Sequence, residues 1–333
     1  MRKLARIQSQ RAYAHWSSFN IVYEWEDILA KKLNINIFKE GSFKFKIFRR
    51  IEKYGLADLY HFFVPKGDLK LRFVMQAKAV KQCVLDCNTI PVIIDFWLED
   101  NELAAFYDAY KHCPLVLVTS AEVVEFLKKH QCPLPIEHWP LSYPDIYKMD
   151  VDAVKDKKYE FCIFGRPNPF FIRLLDEYCK KHPDFTYIHS TGTENNRAFV
   201  DHNGNIVLKD TGRQSYLDMI SKTKISCYTT PGIDESKKIT GRFNQVTPRL
   251  FEMLTSGCSV IGHYPDNADT RYYELSSLIP NVNNYDEFEK ALDTLRIKPL
   301  DFSQIASYMD KHYTSTRAKM LVDILKKHSI SLS

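Results

Sequence analysis

The sequence predicts an α/β protein of two Rossmann-like domains facing a central cleft. Three observations lead there. The chain has 333 residues, enough for two domains that each bury a core. Buried-type strand runs alternate with helix-like segments in both halves, at residues 91–97, 114–120, 159–166, 224–228 and 259–261. Between the halves lies a polar run, 143–158, with Pro144 and the charged string D-V-D-A-V-K-D-K-K. The predicted division is a first domain over 1–145, a linker over 146–158 and a second domain over 159–312.

Composition narrows the function classes. With 45% hydrophobic and 26% charged residues the chain is globular, not disordered. A net charge of +5 and a pI near 8.6 suit a phosphate-bearing ligand or an anionic membrane surface. They fall short of the strongly basic balance of a nucleic-acid binder, so no nucleic-acid partner is expected. The eight cysteines form no C-x-x-C pair and read as reduced, buried thiols of a reducing cytosol. Cys83 and Cys87 have no second pair at zinc spacing, so no metal is expected there. No apolar run follows the basic start M-R-K, and none approaches the ~18 residues of a membrane span. The expectation is a cytoplasmic protein, soluble or peripheral at the inner membrane face.

Residues 1–35 lean helical, with Tyr13, Trp16, Phe19, Tyr23 and Trp25. F-K-F-K-I-F-R-R-I at 43–51 begins as an aromatic–basic alternation and continues as a helix. Two readings stay open: a segment with one solvated side, or a patch in peripheral contact with anionic lipid. Residues 56–65 read as a strand ended by Pro65, and 71–80 as a helix. P-V-I-I-D-F-W at 91–97 is a buried strand with Asp95 at its carboxyl end, the end that faces the ligand in open α/β sheets. Asp95 is therefore the candidate general base on an acceptor hydroxyl, its alternative being a cap on the next segment. His61, beside Phe62 and Phe63, reads as a hydrogen-bonded core residue. A helix is expected over 100–109, a strand over 114–120, a helix over 121–129 capped by Ser120, and an extended run over 136–142.

In the second half, 159–166 is a strand running into Gly165 and then Arg166, whose guanidinium suits a diphosphate. A helix over 171–180 and a strand over 184–189 follow. S-T-G-T-E at 190–194 is placed to pass near a nucleotide base. A turn-rich loop at 201–205, a helix at 214–221 and the strand 224–228 come next. Residues 229–245 form a long polar segment with two readings: a flap in which Lys238 and Arg242 stabilise charge on a leaving nucleotide in place of a metal, or a disordered surface loop. D-V-D at 150–152 sits in the linker and reads as solvated, so no metal site is inferred from it.

The stretch G-R-F-N-Q-V-T-P-R-L-F-E-M-L-T-S-G-C-S-V-I-G at 241–262 organises the rest. Thr247 is the expected N-cap, its hydroxyl accepting a first-turn amide, and Pro248 suits the first helical position. Gly257 ends the helix. A helix N-terminus attracts phosphate, with Arg249 in its first turn and Glu252 about a turn later, placed to accept ribose hydroxyls; the spacing alone equally fits an ordinary surface helix with solvated charges.

T-P-R-L-F-E-M-L-T-S-G-C-S-V-I resembles the nucleotide-sugar signature in the C-terminal domain of GT-B glycosyltransferases. It is most similar to the glycosyltransferase 4-like and CgeB-like groups, with the pattern R-x-F-E-x-x-x-x-G-x-x-x-I. The resemblance implies a GT-B fold, Glu252 on the nucleotide ribose, a final helix (313–333) crossing back to the first domain, and a role for the G-R at 165–166. It implies a nucleotide-diphosphate sugar as donor substrate, with no separate cofactor. The implied acceptor is a glycan or lipid-linked glycan, in surface polysaccharide or other glycan assembly. One position departs from the pattern. Eight residues before Glu252, where many members carry a glutamate that touches the donor sugar, stands Asn244. This keeps open a degenerate, non-catalytic binding subunit and a sugar-nucleotide epimerase of the same fold. Inversion and retention both stay open.

Overall fold

The computed structural model describes residues 2–81, 83–150, 157–192, 198–209, 212–233 and 242–333. The chain forms two compact units, Met1–Asp145 with His312–Ser333, and Ile146–Lys311. The first unit runs β1 (Arg2–Ser9), α1 (Phe19–Leu33), β2 (Asn36–Lys39), α2 (Ser42–Lys53), α3 (Ala57–Phe63), β3 (Leu69–Gln76), β4 (Thr89–Asp95), α4 (Leu103–Tyr110), β5 (Val116–Val118), α5 (Ala121–Lys129) and β6 (Ile136–His138). The second runs β7 (Tyr159–Ile163), α6 (Pro169–Lys181), β8 (Ile188–Thr191), β9 (Ala198–Asp201), β10 (Ile206–Lys209), α7 (Arg213–Ser221), β11 (Thr223–Thr229), α8 (Pro248–Thr255), β12 (Ser259–His263), α9 (Ala268–Tyr272), α10 (Leu275–Leu278), α11 (Tyr285–Ile297) and α12 (Phe302–Met309). The chain then returns to the first unit with α13 (Thr314–Lys327) and β13 (Ile330–Leu332).

The first sheet is parallel, in the order β13-β1-β3-β4-β5-β6, with β2 also pairing β1. β4 is buried over Thr89–Ile94, as a parallel strand covered on both faces should be. α1 buries Phe19, Val22, Trp25, Leu29 and Leu33 along one side and ends on Asn34 in the left-handed conformation. α13 packs Leu321, Ile324 and Leu325 into the core that holds Leu4, Ile7 and Val92. Two side chains fasten the return: Trp139 Nε1 donates to the Arg317 carbonyl at 3.0 Å, and the Ser142 hydroxyl meets the Thr314 hydroxyl at 3.0 Å.

The second sheet has the order β10-β9-β8-β7-β11-β12. β8, β7, β11 and β12 are parallel, β9 runs antiparallel to β8, and β10 runs antiparallel to β9. The chain goes from β7 to β8 on one side and returns as β11 on the other. The β7/β11 boundary is thus a topological switch point, whose carboxyl ends open a ligand crevice in such sheets. Asn168 caps α6 by accepting from the Phe170 amide, with Pro169 at the first helical position.

Three local expectations are overturned. Residues 56–65 are not a strand: Ala57–Phe63 is helical, with Ala57 buried and Tyr60 set edge-on to Phe48, a spacing of three to four rather than two. Residues 71–80 are not a helix: Leu69, Leu71 and Phe73 are buried at period two in β3, between Lys70 and Arg72. Residues 2–9 form a strand rather than part of a helix, Leu4 and Ile7 being buried among basic neighbours that hide the pattern. Asp152, and with it the D-V-D spacing, lies outside the described residues. Among the described residues no helix is long and apolar enough to cross a membrane. The eight cysteines are free thiols, and Cys83, Cys113, Cys162, Cys227 and Cys258 are buried.

Candidate functional site

The site grows from the carboxyl end of β7. The strand ends at Ile163, and Phe164 leads on to Gly165, whose φ of +77° only glycine adopts without strain. The Ser190 hydroxyl, at the end of β8, donates to the Gly165 carbonyl and fixes this turn. The missing side chain has a use. A Cβ at Gly165 would lie 2.5 Å from Arg249 Cζ, so the guanidinium lies directly across the glycine. Arg249 is half-buried, and among the described residues no hydrogen bond or ion pair engages its guanidinium. Arg166, the next residue, is exposed.

Arg249 belongs to the first turn of α8. Pro248 has no amide, and the Leu250 amide bonds the Thr247 carbonyl at 3.2 Å. Among the described residues the Arg249 amide is then the first-turn donor left over. Thr247 does not cap as expected. Its backbone takes the extended N-cap conformation, but its hydroxyl makes no capping bond. It faces the Tyr228 hydroxyl at 3.4 Å instead, while the Thr247 amide donates to that hydroxyl at 2.9 Å. Tyr228, at the end of β11, is fully buried, and its phenol is the partner that wins over the helix amide.

One turn along α8, Glu252 is 6% exposed. Arg213 Nη1 donates to Glu252 Oε1 at 2.9 Å, and the Tyr216 hydroxyl donates to Oε2 at 3.2 Å. Burial, and then the neighbouring carboxylate, push the Tyr216 phenol far above its ordinary value, so it stays a neutral donor. Arg213 also lies 5.4 Å from the ring centre of Tyr147. Glu252 is therefore a held carboxylate, not an open one. Each oxygen keeps a second lone-pair direction that a hydroxyl could use. Sequence reasoning missed Arg213 and Tyr216. Both lie on α7, outside the α8 motif, and only the packing of α7 against α8 joins them to it.

Asn244 is buried and occupied. Its Oδ1 accepts from the Thr230 hydroxyl at 2.7 Å, and a Cβ at Gly232 would meet its amide nitrogen at 2.7 Å. Arg242 is exposed, its guanidinium 5.3 Å from the Phe243 ring centre. Lys238 and Glu194 lie outside the described residues. The structure thus joins Gly165, Arg249, Glu252, Arg213 and Tyr216 into one cluster, with Arg166 beside it and Thr247 turned to the Tyr228 side.

Asp95 belongs to the other unit. It is half-buried at the carboxyl end of β4, paired in register with Gln76, and its carbonyl accepts the Ala77 amide at 2.8 Å. That unit also holds a polar cluster that the sequence did not announce, at the end of β2. Glu40 is 0% exposed and accepts from Gln8 Nε2 at 2.7 Å, the Tyr13 hydroxyl at 2.7 Å and Arg72 Nη2 at 3.1 Å. His61 is half-buried, its Nε2 2.6 Å from the Cys83 carbonyl, in line with a core reading. Among the described residues no group of three or more His, Cys, Asp or Glu side chains is placed to hold a metal ion.

No protein-family model matches the chain, and no curated protein does. Solved structures do resemble it. Sucrose-phosphate synthase from Thermosynechococcus elongatus aligns at 9% identity and TM-score 0.53, covering 98% of this chain and 99% of that one. The N-terminal domain of Candida albicans trehalose-6-phosphate phosphatase aligns at 9% identity and TM-score 0.52, covering 94% and 81%. The pneumococcal O-GlcNAc transferase GtfA, solved with UDP and GlcNAc, aligns at 11% identity and TM-score 0.49. This chain has 78% of its length in that match and spans 57% of GtfA. At such identities the likeness speaks for the fold alone. The fold is GT-B, an α/β chain of two Rossmann-like domains.

Proposed function

We propose that the chain is a glycosyltransferase of the glycosyltransferase 4-like kind, moving a sugar from a nucleotide-diphosphate donor to an acceptor hydroxyl. The observation that carries this reading is Arg249 lying across the left-handed Gly165 at the β7/β11 switch point, with Glu252 one turn along the same helix. A diphosphate at the carboxyl end of β7 would meet the Arg249 guanidinium, the Arg249 amide and Arg166 together. These groups stabilise the charge that grows on the leaving nucleotide as the glycosidic bond breaks. Glu252 would take the ribose hydroxyls, with Arg213 and Tyr216 holding its carboxylate in place. Arg242, and Lys238 from the preceding segment, would add positive charge, so that no metal is needed. In the first unit Asp95 is the candidate base for the acceptor hydroxyl; in-line attack assisted by it inverts the anomeric carbon. The acceptor class is a glycan or lipid-linked glycan of surface polysaccharide or other glycan assembly, and the setting is cytoplasmic.

The test is a thermal-shift panel with UDP, GDP, CMP, CDP, ADP and dTDP, with and without magnesium. A ligand that binds only the native state raises the melting temperature by mass action. A shift with one nucleotide, independent of magnesium and lost in Arg249→Ala, is the expected result. No shift with any nucleotide would sink the proposal. A second reading, a nucleotide-binding subunit without turnover, is favoured by Asn244, whose side chain is committed to Thr230 and not to a donor sugar. Nucleotide binding with no acceptor-dependent release of sugar from any matching donor would select it. An epimerase would instead release its nucleotide without any acceptor.

A further inference from the structure

The helical hairpin α2–α3 has no role in the site described above, and its outer face is unusual. α2 buries none of its residues, although it is rich in aromatics. Its inward side is short: Phe45 stacks on Tyr13, Phe48 meets Tyr60 edge-on, and Glu52 pairs with Lys78 at 2.8 Å. The opposite side carries Phe43 and Ile47, continued by Tyr54 beyond the helix end, at 76%, 39% and 68% exposure. α3 adds Phe62 at 82% and Phe63 at 70%. An apolar groove of about 380 Å³, lined by Ile51, Leu56, Leu59, Phe63 and Pro65, opens on this hairpin. An apolar groove bordered by exposed rings, here Phe63 with Phe62 against it, marks a docking face.

The charges say what docks. Residues 39–66 hold seven Lys or Arg against three carboxylates, a net charge of +4 of the chain's +5. Two of those carboxylates are already engaged inside the unit, Glu40 by Arg72 and Glu52 by Lys78. Lys46, Arg49 and Arg50 flank the apolar side and are exposed, and among the described residues no ion pair engages them. Lys44 lies 5.2 Å from the Phe48 ring centre, its stem along the aromatic surface. Apolar and aromatic side chains ringed by unpaired cations match a surface with an oily interior and anionic headgroups. A second copy of the same face would bring like charges together.

We infer that α2–α3 is a membrane-docking hairpin that seats the first unit on an anionic phospholipid bilayer. Phe43, Phe62 and Phe63 enter the interface, and Lys46, Arg49 and Arg50 meet the phosphates. The test is cosedimentation of the full chain with sucrose-loaded vesicles of phosphatidylcholine alone or with about 30% phosphatidylglycerol. Binding to the anionic vesicles and not to the neutral ones is expected, weakening as salt rises. Arg49→Ala with Arg50→Ala should lower partitioning roughly 25-fold, about fivefold for each charge. Phe62→Ser with Phe63→Ser should lower it by about tenfold or more for each ring. Both pairs are exposed, so the melting temperature and nucleotide binding should not move. Equal binding to both vesicles, or none, would overturn the inference. So would a concentration-dependent dimer in light scattering that the Phe62 and Phe63 changes abolish, which would make a second copy the occupant.

Discussion

Gly165→Ala tests the proposed donor site through a single methyl group. The new Cβ would sit 2.5 Å from Arg249 Cζ and Nη2 and 2.8 Å from Nη1. Ordinary contact needs roughly 3.5 Å, so the guanidinium must retreat by about 1 Å or more. Alanine must also hold φ near +77°, at a cost of about 1–2 kcal/mol. The guanidinium is the end of a flexible side chain, so the fold survives and the positioning is lost. A charge-assisted hydrogen bond to phosphate is worth about 1.5–3 kcal/mol, so nucleoside-diphosphate affinity should fall roughly tenfold to hundredfold. Calorimetric titration reads the affinity and urea unfolding reads the stability. Arg249→Ala alone should lose about as much affinity. The double variant should lose little more, because both changes remove one interaction. Full affinity in Gly165→Ala, or losses that simply add in the double variant, would refute the placement of Arg249 as the phosphate contact.

Glu252→Ala should weaken nucleotide binding and also cost about 1–3 kcal/mol of stability, since it strands the Arg213 guanidinium, whose side chain is 19% exposed. Glu252→Ala with Arg213→Ala should recover much of that stability in urea unfolding without recovering binding; recovery of both would remove Glu252 from the site. Asn244→Ala should cost about 1–2 kcal/mol through the Thr230 bond while changing nucleotide affinity less than Arg249→Ala does. The opposite ranking would give Asn244 a ligand role. His138, at the end of β6, has its pKa lowered from 6.5 to about 4 by burial and by the Arg317 and Lys128 charges. The unfolded chain binds this proton more readily. Stability is therefore full above about pH 6.5 and is lost as pH falls toward about 4, by roughly 3 kcal/mol in all. Urea midpoints across that window should flatten in His138→Gln; an unchanged slope would show that other groups set the acid sensitivity.

The second domain was more legible than the first, for a physical reason. β7, α8 and β12 sit beside punctuation that restricts the backbone, Gly165, Pro248 and Gly257, and β11 is a plain buried run. In the first domain β3 alternates Leu69, Leu71 and Phe73 with Lys70 and Arg72, whose charges are satisfied by Asp86 and Glu40 from elsewhere in the chain. Such long-range pairing lets a half-basic segment be a central strand, and no local pattern reports it. The site shows the same divide. Arg249 and Glu252 were readable because a helix turn brings them together. Arg213 and Tyr216, and the bond of Ser190 to Gly165, were not, because contacts 36–39 residues away from Glu252 for the first two, and 25 from Gly165 for the third, are made only by folding.

Thr247 shows how the site end of α8 is set. A capping hydroxyl would have satisfied a first-turn amide within the chain. Here Tyr228 draws Thr247 toward β11 instead, and Asn244 ties the residues after β11 through Thr230. The helix start is thus positioned by the carboxyl end of β11 rather than by its own cap. Its Arg249 amide is left over, beside a guanidinium laid across a glycine that has room for nothing larger. Both donors sit where the strand order reverses. A surface helix would gain stability from closing its own first turn. Leaving it open while burying the supports beneath it suits the anion site proposed here.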